Sequence, residues 1–81
     1  MSLLNEQIDV QSTTSGQPAL FAWRGHVYRV RRVIASWTTT PEPSSARLVR
    51  VATESDEGHA SIVDITQDPH SDSWAVRRLW G

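Results

Sequence analysis

The chain has no cysteine, no lysine, no long apolar run and no clustered glycine, and every one of these absences except that of lysine closes a class of function. Without cysteine there is no disulfide staple, no thiolate metal site and no thiol nucleophile. The four glycines, at 16, 25, 58 and 81, stand alone, so no glycine-rich loop is available to cradle a phosphate. No stretch is apolar for long enough to span a bilayer. Met1–Val10 carries Glu6 and Asp9 and lacks the basic start of a secretory signal. The expectation is a cytoplasmic protein with no membrane contact. That all eight basic residues are arginine fits a GC-rich coding bias, which concerns the genome and not the mechanism.

What remains is 81 residues, one small domain. A chain of this size buries only about 60–65% of its unfolded surface, so the core is thin and each aromatic counts. Phe and Tyr occur once each, but there are four tryptophans, at 23, 37, 74 and 80. They punctuate Ala19–Trp37 and Ser73–Trp80, which also hold six of the eight arginines. Charge is divided along the chain. Ala19–Arg50 has six arginines against Glu42 alone, a net of +5, while Val51–Gly81 has two arginines against six acids, a net of −4. Such asymmetry implies a polarised surface or two halves that pair their charges across the fold.

Residues 1–18 read as a flexible leader. Asn5–Val10 is too short for an independent helix, and Gln11–Pro18 is a polar stretch ending in proline. Ala19–Trp23 and His26–Trp37 alternate like strands around an Arg24–Gly25 turn, which makes a hairpin. Tyr28 and Val30 share one face of the second strand, with Arg29 and Arg31 on the other. After Arg31–Arg32 the apolar phase slips to Val33, Ala35 and Trp37, as a β-bulge produces. A helix also fits Val30, Val33, Ile34 and Trp37, but β-branched residues and Trp favour the strand.

Thr38–Ser45, with two prolines, is a loop. Arg47–Glu54 and His59–Thr66 follow as strands around an acidic turn, the latter burying either Ile62 or the Val63/Ile65 pair. Gln67–Asp72 turns the chain into a last strand, Ser73–Trp80, with Trp74, Val76 and Trp80 on one face. The expected fold is all-β. Five antiparallel strands form a meander over residues 19–81, curled into a small, partly open barrel. The expected core is Phe21, Trp23, Tyr28, Val30, Val49, Val51, Ile62, Ile65, Trp74 and Val76.

The spacing Phe21-x-Trp23-Arg24-Gly25-x-x-Tyr28-x-Val30-x-x-Val33-x-x-x-Trp37 carries a resemblance, together with Arg47-x-x-Arg50-Val51, Val63-Asp64-Ile65 and Trp74-x-x-x-Arg78. Over Pro18–Trp80 the chain resembles a small uncharacterised family of high-GC bacteria. A similar pattern closes the catalytically inactive Y-family polymerase-like protein of mutagenic DNA-repair cassettes. The resemblance implies a repair-associated accessory domain serving protein and DNA contacts, with no catalytic residue. Two departures stand out: Leu48 where members carry an aromatic, and the longer connection Gln67–Asp72.

Residues that could carry chemistry are few. His26, His59 and His70 share no metal-binding spacing. His59-x-Ser61-x-x-Asp64 and His70-Ser71-Asp72 lack the strand-to-helix elbow and oxyanion site of an activated serine. Glu54, Asp56 and Glu57 crowd one turn with no apolar wall to raise a carboxyl pKa, so they serve at best as a weak cation site. No enzyme activity, cofactor or metal is expected. The arginine–aromatic combination is left, with Arg24, Arg29, Arg31, Trp37, Arg47 and Arg50 as contact residues. Rings exposed beside these arginines would suit single-stranded nucleic acid; rings in the core, with arginines on their edges or paired to acids, would be structural. Protein binding is the other class, through a free sheet edge or by exchange of the leader between two copies as a homodimer. A repair polymerase component is the expected partner.

Overall fold

A computed structural model describes residues 2–39, 46–71 and 73–80. Six strands follow in chain order: β1 (Ser2–Ser12), β2 (Pro18–Trp23), β3 (His26–Thr39), β4 (Ala46–Ser55), β5 (Ala60–Gln67) and β6 (Trp74–Leu79). Each pairs antiparallel with its chain neighbours, and β1 also pairs with β6, so the sheet closes into a barrel. No helix among the described residues is long and apolar enough to cross a membrane.

The expected five-stranded antiparallel meander is present, but a sixth strand occupies the place of the leader and the barrel is closed. β1 pairs Val10 with Phe21 on β2, and Glu6 with Val76 on β6. Its even-numbered residues Leu4, Glu6, Ile8 and Val10 form the less exposed face, and Asn5, Gln7, Asp9 and Gln11 face solvent. One inward glutamate interrupts the apolar face, which hides the alternation in the sequence. Closure also removes most free edges. β3 pairs with β2 only as far as Arg29, so beyond it the strand keeps β4 as its one neighbour among the described residues.

The β2–β3 hairpin turns at Arg24–Gly25 as expected, both with positive φ (51° and 78°). A two-residue turn of this hand matches the twist of the strands, and glycine adopts it freely. Among the described residues Arg24 is the one non-glycine residue with positive φ, and its side chain is anchored. The bulge expected after Arg31 is present: the β3–β4 register shifts between Val30 and Arg32, and again between Val33 and Ala35. Residues 40–45 of the expected loop lie outside the described residues, while Thr38 and Thr39 prolong β3.

The core holds Ile8, Phe21, Trp23, Val49, Val51, Val63, Ile65, Trp74 and Val76, with Tyr28 and Val30 half-buried against it. Phe21 stacks on Tyr28 at 5.3 Å, across one β2–β3 pair. Burying such a ring contributes about 1.5–3 kcal/mol. Three core assignments change. Ile62 lies outside, 39% exposed, because Val63 and Ile65 hold the inward positions of β5. Val63 therefore joins the core, and Ile8 joins it with β1.

Candidate functional site: an arginine–tryptophan platform outside the barrel

On β4, Val49, Val51 and Thr53 point inward, so Leu48, Arg50, Ala52 and Glu54 line the outer surface. Their partners extend this surface across the sheet. Arg50 pairs with Ala35 on β3 and Asp64 on β5, and Asp64 with Arg78 on β6. Ala52 pairs with Arg32 and Ile62 in the row above; Leu48 pairs with Trp37 and Thr66 in the row below.

At the centre sits Asp64, only 2% exposed although it faces outward. Arg50 covers it with a two-pronged hydrogen bond, Nε donating to Oδ1 at 2.8 Å and Nη2 to Oδ2 at 3.1 Å. Trp80 Nε1 donates to the same Oδ2 at 3.0 Å. The planar guanidinium then lies 4.6 Å from the Trp80 ring centroid and 5.2 Å from that of Trp37, within cation–π range of both. Arg78 approaches Trp80 at 5.1 Å. The hydrogen bonds to Asp64 raise the Arg50 pKa above its ordinary value, while desolvation opposes them. Trp37 and Trp80 remain 42% and 38% exposed.

Two depressions flank the Arg50–Asp64–Arg78 row. One, of about 570 Å³, is lined by Arg31, Ala52, Ile62 and Trp80. The other, of about 390 Å³, is lined by Trp37, Leu48, Arg50, Arg77 and Arg78. Each joins a half-exposed indole to apolar floor and arginine. Among the described residues, this face sets six arginines (29, 31, 32, 50, 77 and 78) against two acids, Glu54 and Asp64, a net of +4 on a molecule of net −1. Arg31 reaches Glu54 at 3.6 Å. Arg29, Arg32 and Arg77 have no ion pair among the described residues.

The structure thus brings together Arg29, Arg31, Trp37 and Arg50 of the expected contact set and separates two members. Arg24 turns to the barrel end, where it hydrogen-bonds both carboxylate oxygens of Glu6. Arg47 is held by the Gly16 carbonyl and Gln17, and lies 5.9 Å from the ring of buried Trp74. Asp64, Ile62, Arg32, Arg77, Arg78 and Trp80 complete the face. Trp80 was expected beside Trp74 and Val76, but the β5–β6 register shifts at Asp64/Ile65, across Arg77, and turns Trp80 outward. The tandem Arg77–Arg78 is the visible signal, since the β3 bulge also carries tandem arginines, Arg31–Arg32.

Asp64 is committed to Arg50 and Trp80, so the His59, Ser61 and Asp64 spacing assembles no nucleophile. At one barrel end His26 Nδ1 lies 3.2 Å from Asp56 and 3.3 Å from Glu57. Their ligand atoms fall within 4.8 Å of one another, the one such group among the described residues. All three are solvent-facing, and a surface imidazole within hydrogen-bond reach of carboxylates is an ordinary surface contact.

Fold and site together define a small, closed, six-stranded antiparallel barrel with a cationic aromatic outer face. The chain belongs to the family described as Domain of unknown function (DUF6504), which it matches over residues 2–80. Among curated proteins and among solved structures, nothing matches it.

Proposed function

We propose that the chain is a non-enzymatic interaction module and that the outer face of β3–β6 is its contact surface. One observation carries this reading: a carboxylate, Asp64, is buried outside the core to hold an indole that stays 38% exposed. Burying a carboxylate is costly unless it is paired, and here the pairing fixes Arg50 and Trp80 in one arrangement facing solvent. Exposed Trp and Arg in locked positions are the side chains that dominate binding hot spots. The resemblance to the closing segment of the inactive Y-family polymerase-like protein supplies the setting: a bacterial cytoplasm, DNA repair or translesion synthesis, and a repair polymerase component as protein partner.

The test is calorimetric titration of the purified chain with the polymerase-like protein of such a cassette. The paired change Trp37→Ala with Trp80→Ala should weaken binding by about 30-fold or more, the loss of one hot spot. Gln7→Ala, on the outward face of β1, should leave it unchanged. Binding that survives loss of both indoles, or no binding at all, would overturn the reading.

A further inference from the structure

We infer that the Trp37–Arg50–Trp80 platform binds single-stranded nucleic acid, with bases stacked on the two indoles and phosphates held by the arginines around them. This rests on the reading of the β3–β6 face as the contact surface, and adds nucleic acid as a second ligand of that face beside the protein partner proposed above. Three observations carry it. The first is spacing. One guanidinium lies 5.2 Å and 4.6 Å from the two ring centroids, so the rings are within about 10 Å of each other. At ~3.4 Å per stacked nucleotide, about 10 Å is roughly three steps. A run of four nucleotides therefore reaches from ring to ring, the lower end of the ~4–16 nucleotide sites of small barrel modules.

The second observation is charge. The described residues of the face carry +4 while the molecule carries −1, so all remaining residues together sum to −5. A polyanion is thereby steered to one side of the barrel. Both acids of the face are engaged already, Asp64 by Arg50 and Glu54 by Arg31. Arg32 and Arg77 are exposed and without ion pairs among the described residues, free to meet phosphates. The third is what the rings present. Each indole borders its own depression, lined by apolar side chains as well as charged ones, and an unpaired base laid there would stack on the ring. A duplex hides those base faces, so stacking selects single strands.

The experiment follows fluorescence anisotropy of a labelled oligo-dT of about twelve nucleotides, a duplex of equal length and an acidic peptide of equal length. The single strand should bind more tightly than the other two. Its affinity should fall about 20-fold between 50 and 200 mM salt if three phosphates are contacted. Trp80→Ala should weaken it by about 5- to 150-fold, the range for one base–aromatic stack. Because that change could disturb Asp64, Arg32→Ala and Arg77→Ala serve as second variants. Each should leave the thermal midpoint unchanged and flatten the salt slope by about 0.7.

Equal affinity for duplex and single strand would reduce the face to plain charge and overturn the inference. Tighter binding of the acidic peptide would overturn it in favour of a protein ligand. No single-strand binding at 50 mM salt by the folded chain would also overturn it, while the interaction-module reading would still stand on its own polymerase titration.

Discussion

Two regions of this barrel use the same three chemical groups with their burial reversed. At the barrel end, Glu6 accepts from Arg24 and from Trp23 Nε1, and Arg24 lies 4.8 Å from the Trp23 ring. On the outer face, Asp64 accepts from Arg50 and from Trp80 Nε1, and Arg50 lies 4.6 Å from the Trp80 ring. In the first set the ring is core, 5% exposed, and the carboxylate is at the rim, its side chain 37% exposed. In the second the carboxylate is buried and the ring is out. The first arrangement serves the fold: it satisfies the one polar atom of a buried indole and ties β1 to the β2–β3 turn. The second leaves its indole for something else to cover. Composition alone does not separate a structural triad from a binding one; the direction of burial does.

The sharpest way to break this contrast is to remove each ring. Trp23→Ala should destabilise the domain by about 3–5 kcal/mol, as for other large core aromatics. Trp80→Ala should cost less, about 1–2 kcal/mol, because Asp64 loses the indole donor but keeps both hydrogen bonds from Arg50. Urea unfolding of both variants decides the matter. Equal losses would make Trp80 a core residue in energetic terms and remove the basis for a presented platform.

The carboxylates should show the reverse ranking in function. Asp64→Asn keeps the shape but weakens the grip on Arg50 and Trp80, and should cost about 1–3 kcal/mol as a buried polar group left poorly paired. Ligand binding on the outer face should fall with it, because both anchors lose their fixed orientation. Glu6→Gln should leave ligand binding unchanged. If Asp64→Asn binds like the unmodified chain, the platform does not depend on pre-organisation.

Much of the fold was legible because a two-residue period and turn chemistry are local signals. The Arg24–Gly25 hairpin, the Arg31–Arg32 slip and the strand bearing Val49 and Val51 all follow from neighbours in sequence. β1 was not legible, because its inward face includes Glu6, whose partners Trp23 and Arg24 are 17 and 18 residues away. The platform was half legible. Arg29, Arg31, Trp37 and Arg50 stood out by composition, whereas Asp64 and Trp80 depend on strand pairing and on a bulge in β6 whose local mark is the Arg77–Arg78 tandem alone. A one-residue slip reverses every later side chain, which is why Trp80 changed faces and Trp74 did not.

The smallest effect expected is also the most specific to the structural triad. Hydrogen bonds from Arg24 and then from Trp23 hold the Glu6 carboxyl below its ordinary 4.5, with desolvation opposing them. A carboxyl whose folded pKa is depressed binds fewer protons folded than unfolded, so its contribution is complete above the ordinary value. It fades as pH falls through 4.5 toward the lower folded value. The carboxylate is solvent-accessible, so the contribution is modest and screened by salt. Thermal midpoints of the unmodified chain and Glu6→Gln, compared from neutral pH into acid, should therefore differ at neutral pH and converge below 4.5. Trp23→Phe, which removes the second donor but keeps an aromatic core, should show a narrower pH-dependent gap from its own Glu6→Gln double variant. A gap that persists unchanged into acid would mean that Glu6 acts through packing and not through its charge. The two triads would then differ in chemistry as well as in burial.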